Sequence, residues 1–147
     1  MKKKYPKISV VIPSFNQGSF IEETILSIIN QKYPSLELII IDGLSTDNTL
    51  EIVNKYKDQI ATIVSEKDAG LYDAINKGIG LATGEIIANL NSDDFYIDNN
   101  VIADVVAKME ETKSDTLYAD LYYVDAIDTN KVVRNWVSGA YKKGMFF

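Results

Sequence analysis

The stretch Leu36-Glu37-Leu38-Ile39-Ile40-Ile41-Asp42-Gly43-Leu44-Ser45-Thr46-Asp47 decides the fold class of this chain. An apolar, β-branched run from Leu36 to Ile41 reads as a strand buried on both faces, which is the habit of a parallel sheet covered by helices. The polar residues after it end the strand, and Ser45 to Asp47 open a helix that runs to about Lys57.

Working outward, the same alternation repeats. Ile8 to Ile12 is a first strand, ended by Pro13. Ser19 and Glu22 have capping-box spacing, and Phe20, Ile21, Ile25, Ile28 and Ile29 then form one apolar helical face that Pro34 terminates. Ala61 to Ser65 is a third strand. Tyr72, Ile75, Ile79 and Leu81 mark a helix weakened by Gly78 and Gly80, and Glu85 to Leu90 is a fourth strand. Beyond it, Asn99 or Asn100 caps a helix with Val101, Val105 and Met109 on one face. Leu117 to Ile127 and Val132 to Val137 then read as a hairpin turning at Asp128-Thr129-Asn130. With no repeat, low-complexity segment or linker, the expectation is one α/β domain over residues 1–147. Its ending, Gly144-Met145-Phe146-Phe147, has two aromatics and no polar tail, as expected of a chain cut from a longer one.

Composition narrows the chemistry. A net charge of -6 argues against nucleic acid as a partner, since a binder needs a basic face for phosphates. The one basic cluster, Lys2-Lys3-Lys4, reads as a solvated tail. The chain has no cysteine and no histidine. Disulfides, thiol nucleophiles, a Ser-His-Asp triad and His- or Cys-ligated metals are therefore excluded, leaving carboxylates for acid–base or metal work. No apolar run approaches the roughly 18 residues of a membrane span, and no signal-peptide pattern follows Met1, so a cytoplasmic protein is expected.

In open α/β sheets ligands bind outside the carboxyl ends of the strands. Each of the expected strands ends in polar residues: Pro13-Ser14-Phe15-Asn16, Asp42 to Asp47, Glu66-Lys67-Asp68-Ala69-Gly70, and Asn91-Ser92-Asp93-Asp94. Adjacent Asp93 and Asp94 repel unless a cation relieves them, and an all-oxygen donor set suits Mg²⁺ or Mn²⁺. Asn-Ser-Asp-Asp is equally an ordinary turn sequence. Asp42 suits a nucleobase N–H acceptor, Ser45 to Asp47 suit a helix cap, and Asn16 suits either a turn or a base and ribose contact. Gly70 reads as a tight turn that allows close backbone approach to a ligand. The dinucleotide and P-loop glycine patterns are absent.

Taken together, Ser9-Val10-Val11-Ile12-Pro13-Ser14-Phe15-Asn16, then Glu37 to Thr49, then Ala74-Ile75-Asn76-Lys77-Gly78 with Ala82-Thr83-Gly84-Glu85, closely resemble the family 2 glycosyltransferases. The resemblance implies a GT-A, Rossmann-like α/β/α three-layer fold with a mainly parallel central sheet. It implies inverting transfer of a sugar from a nucleotide-diphosphate donor, usually a UDP-sugar, to a polysaccharide or lipid-linked acceptor, with Mg²⁺ or Mn²⁺ as cofactor. It places Pro13, Ser14, Phe15, Asn16 and Asp42 at the nucleobase, Asp93 on the metal, Asn91 on the ribose side, and Ser92, Asp94 and Gly70 elsewhere around the donor. Two departures stand out. Asn91-Ser92-Asp93 replaces the family's Asp-x-Asp, which removes one charge. Asp42-Gly43-Leu44-Ser45 replaces a paired Asp-Asp-Gly-Ser, a form resembling enzymes of bacterial surface polysaccharide.

The general base of such an enzyme is expected beyond Phe147, unless Asp115, Asp120, Asp125 or Asp128 serves. Peripheral association of the full-length enzyme with the inner membrane face accompanies that reading. The alternatives are a catalytically incomplete nucleotide-sugar-binding module and a receiver-like signalling domain built around Asp42 and Asp93.

Overall fold

Four strands, β1 (Ile8–Ser14), β2 (Leu36–Asp42), β3 (Thr62–Ser65) and β4 (Ile86–Asn89), form one parallel sheet in the order β3-β2-β1-β4. The structure, a computed structural model, describes residues 5–140. Lys2-Lys3-Lys4 and the Gly144 to Phe147 ending lie outside the described residues. Two compact units are present, 1–107 and 108–147.

In the first unit, the period-two alternation of the strands feeds two cores. Val10, Ile12, Leu38 and Ile40 pack in one core with Ile21, Ile25 and Ile28 of helix α1 (Ile21–Ile29) and with Ile52 and Val53 of α2 (Thr49–Lys55). Ile102 and Val106 of α4 (Val101–Thr112) join them. Val11, Ile39 and Ile41 face the other way, onto Ala74 of α3 (Leu71–Leu81). Leu38 to Ile41 are at most 3% exposed, which bears out a strand buried on both faces. Each such side chain contributes about 1.5–3 kcal/mol.

Several local expectations are corrected. Ser19 and Glu22 form no capping box: α1 is capped by Phe20 without a side-chain bond, and Glu22 instead accepts the Tyr56 hydroxyl at 2.8 Å. The strand β1 continues through Pro13 to Ser14. Its pairing with β4 stops at Val11, so Pro13 sits where one side of the strand is open and a missing N–H is tolerated. Helix α2 starts at Thr49 rather than Ser45, and a 3-10 turn over Lys57–Gln59 follows it. Gly78 does not weaken α3 so much as allow it. A Cβ there would lie 2.3 Å from Val11 Cγ1, so only glycine lets the helix rest on the sheet. The buried face of α4 is Ile102 and Val106, one residue on from the face expected of Val101, Val105 and Met109.

The second unit is a hairpin, β5 (Leu121–Val124) against β6 (Val132–Trp136), shorter than expected but turning where Asp128 to Asn130 predict. Asp125 Oδ1 accepts the Ile127 and Asp128 N–H groups, Asp128 Oδ1 accepts that of Asn130, and Asp120 Oδ1 accepts that of Ser138. The Arg134 guanidinium lies 5.6 Å from the Tyr123 ring and 5.2 Å from that of Trp136. Among the described residues, no helix is long and apolar enough to cross a membrane.

Candidate functional site

Strand order fixes where a ligand can sit. From β1 the chain moves outward to β2 and β3, then returns to place β4 on the other side of β1. Loops leaving β1 and β4 therefore diverge, and the gap at their carboxyl ends is the topological switch point. Ser14 ends β1 there, and Asn91 to Asp94 follow β4 at the same edge.

Along that edge Ser14 is in register with Asp42, and Asp42 with Ser65. Asp42 is fully buried. Its Oδ2 accepts the Ser45 N–H at 3.0 Å and the Ser65 hydroxyl at 2.7 Å, and its Oδ1 accepts the Ser45 hydroxyl. In this state the carboxylate organises its own loop. Asn16 adopts the turn reading, at φ 53°, and also ties two loops: its N–H donates to Ser45 Oγ and its Oδ1 accepts the Thr46 N–H, both at 2.8 Å. Leu44 is likewise left-handed, at φ 63°, a conformation costing a branched side chain about 1–2 kcal/mol.

Asp47 completes the clamp. It accepts the Thr49 hydroxyl and N–H and reaches across to the Gly18 N–H at 2.9 Å, while Thr49 Oγ1 accepts the Gln17 N–H. The Thr49 hydroxyl, then the Gly18 amide, hold its carboxyl below the ordinary aspartate range. Residues 15–18 and 43–49 are thus one hydrogen-bonded platform, with Phe15 exposed on it. Ser14 lies beneath, 5% exposed, and its Oγ is the buried side-chain polar atom that finds no hydrogen-bond partner among the described residues.

Across the gap, Asp94 N–H donates to the Asn91 carbonyl at 3.1 Å and the Asn91 amide donates to Asp94 Oδ2 at 3.1 Å, so the acidic segment is indeed a turn. That turn buries Ser92 and leaves Asp93 and Asp94 exposed. Partial desolvation of its carboxyl raises Asp94 above its usual range and repulsion from Asp93 adds to this, while the Asn91 amide opposes both. Among the described residues no three His, Cys, Asp or Glu side chains gather into a metal cage. The exposed Asp93 carboxylate is a hard oxygen donor that fits an ion keeping waters and substrate phosphates as its other ligands, the habit of Mg²⁺ and of similar hard cations.

On the β3 side, Gly70 has φ 112°, a conformation reserved for glycine, and its N–H donates to Asp68 Oδ1 at 2.9 Å. Lys77 of α3 bridges Glu66 at 2.9 Å and Asp73 at 3.3 Å, and Glu66 foremost raises its pKa. The sequence reading gave roles to neither Lys77 nor Ser65. Their motif and strand-end positions were the available signals.

A profile of glycosyl transferase family 2 matches residues 9–146. The chain belongs to that family. A PGL/p-HBAD biosynthesis glycosyltransferase of Mycobacterium bovis is 35% identical over 120 residues, covering 79% of this chain and 47% of that protein. The crystal structure of Staphylococcus aureus TarS 1-349 in complex with UDP-GlcNAc superposes with a TM-score of 0.68 at 31% identity, covering 74% of this chain and 32% of that one. A mannosyltransferase from Pyrobaculum calidifontis in complex with GDP-Man and Mn²⁺ gives 0.68 at 27% identity, covering 83% and 36%. The family 2 chain thus has a GT-A, three-layer α/β/α fold with a parallel central sheet, and it spans about half the length of the curated relatives it matches.

Proposed function

We propose that this protein is an inverting glycosyltransferase whose residues 1–147 form its donor-binding part. It takes the nucleoside diphosphate of a sugar donor, UDP foremost, into the switch point between β1 and β4, together with Mg²⁺ or Mn²⁺. Two observations carry this: the Ser14 hydroxyl at the end of β1 is buried without a hydrogen-bond partner among the described residues, and the Asp93 carboxylate in the turn after β4 is exposed.

Each residue then has a physical task. Phe15 and the platform of Asn16, Asp42 and Ser45 hold the nucleobase, with Pro13 and Ser14 as its floor, and Gly70 lets backbone approach the donor closely. Asp93 holds the cation. Asn91 and Ser92 shape the turn beside the ribose, and Asp94 supports Asp93 or orients the donor sugar. The bound cation supplies Lewis acidity for the charge that develops on the departing nucleoside diphosphate. Inversion also needs a carboxylate to take the acceptor hydroxyl's proton, and we place that base outside residues 1–147. The acceptor is a polysaccharide or lipid-linked glycan of the bacterial envelope, met at the cytoplasmic face of the membrane. A second reading is a module that binds donor without turnover.

Calorimetric titration of UDP with Mn²⁺ and with chelator tests the reading. Mn²⁺ should strengthen binding, and Asp93→Asn should weaken that Mn²⁺-dependent affinity by at least ~100-fold, since even indirect partners of a metal carry roughly 10–100-fold. UDP binding that ignores both Mn²⁺ and the substitution overturns it. UDP-sugar hydrolysis separates the enzyme from the module.

A further inference from the structure

The acidic turn has no neighbouring strand to hold it. The β1–β4 ladder pairs as far as Asn89, and the last backbone bond to β1 is from Leu90 N–H to the Val11 carbonyl, 3.0 Å. Beyond that point the chain from Ser92 to Ile102 runs beside α1, and its backbone is bonded there by a row of polar groups. Thr24 Oγ1 donates to the Ser92 carbonyl at 3.0 Å. Ser27 Oγ accepts the Tyr96 N–H at 3.2 Å while donating to the Thr24 carbonyl at 2.8 Å. Gln31 Nε2 donates to the Asp98 carbonyl at 2.6 Å, and its Oε1 accepts the Ile102 N–H at 3.0 Å, capping α4 from outside that helix. The Lys32 N–H donates to the Asn99 carbonyl at 2.7 Å.

Thr24 and Ser27 are three residues apart on one face of α1, and Gln31, just past the C-cap Asn30, continues the row by donating from Nε2 to the Ser27 carbonyl at 2.9 Å. Their neighbours Ile21, Ile25 and Ile28 are at most 1% exposed in the core, so α1 cannot shift relative to the sheet without unpacking it. Thr24 is itself 1% exposed and Gln31 is 7% exposed. At such a buried position valine fills the same volume without a hydroxyl that needs a partner. The hydroxyl is therefore explained by its bond, and the carbonyl it binds belongs to the peptide that leads directly into Asp93.

We infer that Thr24, Ser27 and Gln31 are positioning residues: they transmit the rigidity of the core to the acidic turn and hold Asp93 where a cation and a diphosphate can share it. This rests on the donor-site reading above. None of the three is among the residues assigned to the donor, so the expected signature is a loss confined to the cation-dependent part of binding.

The test is UDP affinity by calorimetry, in Mn²⁺ and in EDTA, for wild type, Thr24→Val, Thr24→Ser and Ser27→Ala. With Mn²⁺, Thr24→Val should bind UDP about tenfold more weakly, the low end of what second partners of a metal carry. In EDTA it should match wild type, and Thr24→Ser should restore binding with Mn²⁺. Ser27→Ala, at a half-buried helical position that alanine suits, should show the same pattern more weakly and carries the test if Thr24→Val does not fold. Tyr56→Phe, which frees Glu22 on another side of α1, serves as the control and should leave both affinities unchanged. Equal losses in Mn²⁺ and EDTA, or no loss in Thr24→Val and Ser27→Ala, overturn the positioning role. A wild type whose UDP binding ignores Mn²⁺ overturns the cation reading, and this inference with it.

Discussion

Glu37 at the amino end of the parallel sheet and Asp94 beyond its carboxyl end are treated in opposite ways. At the amino end, Glu37 is 10% exposed and receives hydrogen bonds from the Lys7 ammonium, the Ser9 hydroxyl, and the N–H and hydroxyl of Thr83. Burial alone raises its pKa, but these donors outweigh it and bring the carboxyl down to about 2. At the carboxyl end, Asp94 is raised by partial desolvation and by Asp93, and Ser14 has a buried hydroxyl without a partner among the described residues. The amino end is satisfied and so contributes stability. The carboxyl end keeps unmet polar capacity, which is what a ligand site requires and what a protein optimised only for stability would remove.

Three substitutions test this contrast. The largest effect belongs to Glu37→Gln, which removes a charged acceptor from the closed clip. It should cost about 2 kcal/mol in urea unfolding at pH 7 and leave Mn²⁺-dependent UDP affinity unchanged. The pH dependence sharpens the point. Because Glu37 is lowered from 4.5 to about 2 in the folded state, its stabilisation is fully present above pH 4.5 and is lost as pH falls toward 2. The gap between wild type and variant should therefore close over that window, and a gap that persists at the acid end contradicts the account of the clip.

A smaller, opposite effect is expected of Ser14→Ala. Deleting a buried hydroxyl that has no partner should stabilise the fold by about 1 kcal/mol while weakening UDP binding. A stability loss there would mean that Ser14 is structural and the contrast is wrong. The smallest effect belongs to Asp94→Asn, worth a few tenths of a kcal/mol of added stability at pH 7. Its sign follows from the raised pKa: the folded state disfavours the charged form, so the wild type loses stability as pH rises through the folded pKa and regains it toward pH 3.8. A melting curve showing the reverse order would break the comparison at its finest point.

Much of the fold could be read from local pattern. Ile39 to Ile41 could only be a strand buried on both faces, and Asp128 to Asn130 could only be a turn. The misassignments came where tertiary partners took over local groups: Glu22 left the capping box for the Tyr56 hydroxyl, and Gly78, a poor helix former in isolation, was set by the proximity of Val11. In the site, the motif residues were visible because strand ends gather ligand-binding chemistry. Ser65, the partner of Asp42, was not, since a lone serine at the end of a strand shows its position but not which neighbour it will face.

The sequence by itself determined the α/β class, the parallel sheet, family membership and the candidacy of Asn91-Ser92-Asp93-Asp94, because hydrophobic period and motif order are properties of the chain alone. The tertiary structure decided which carboxylates are free to act. Asp42 and Asp93 both follow apolar strands, yet packing surrounds one with serine donors and turns the other outward. Whether a polar group is satisfied depends on residues distant in the chain: the nearest fixed point for Asp93 is Thr24, 68 residues before Ser92.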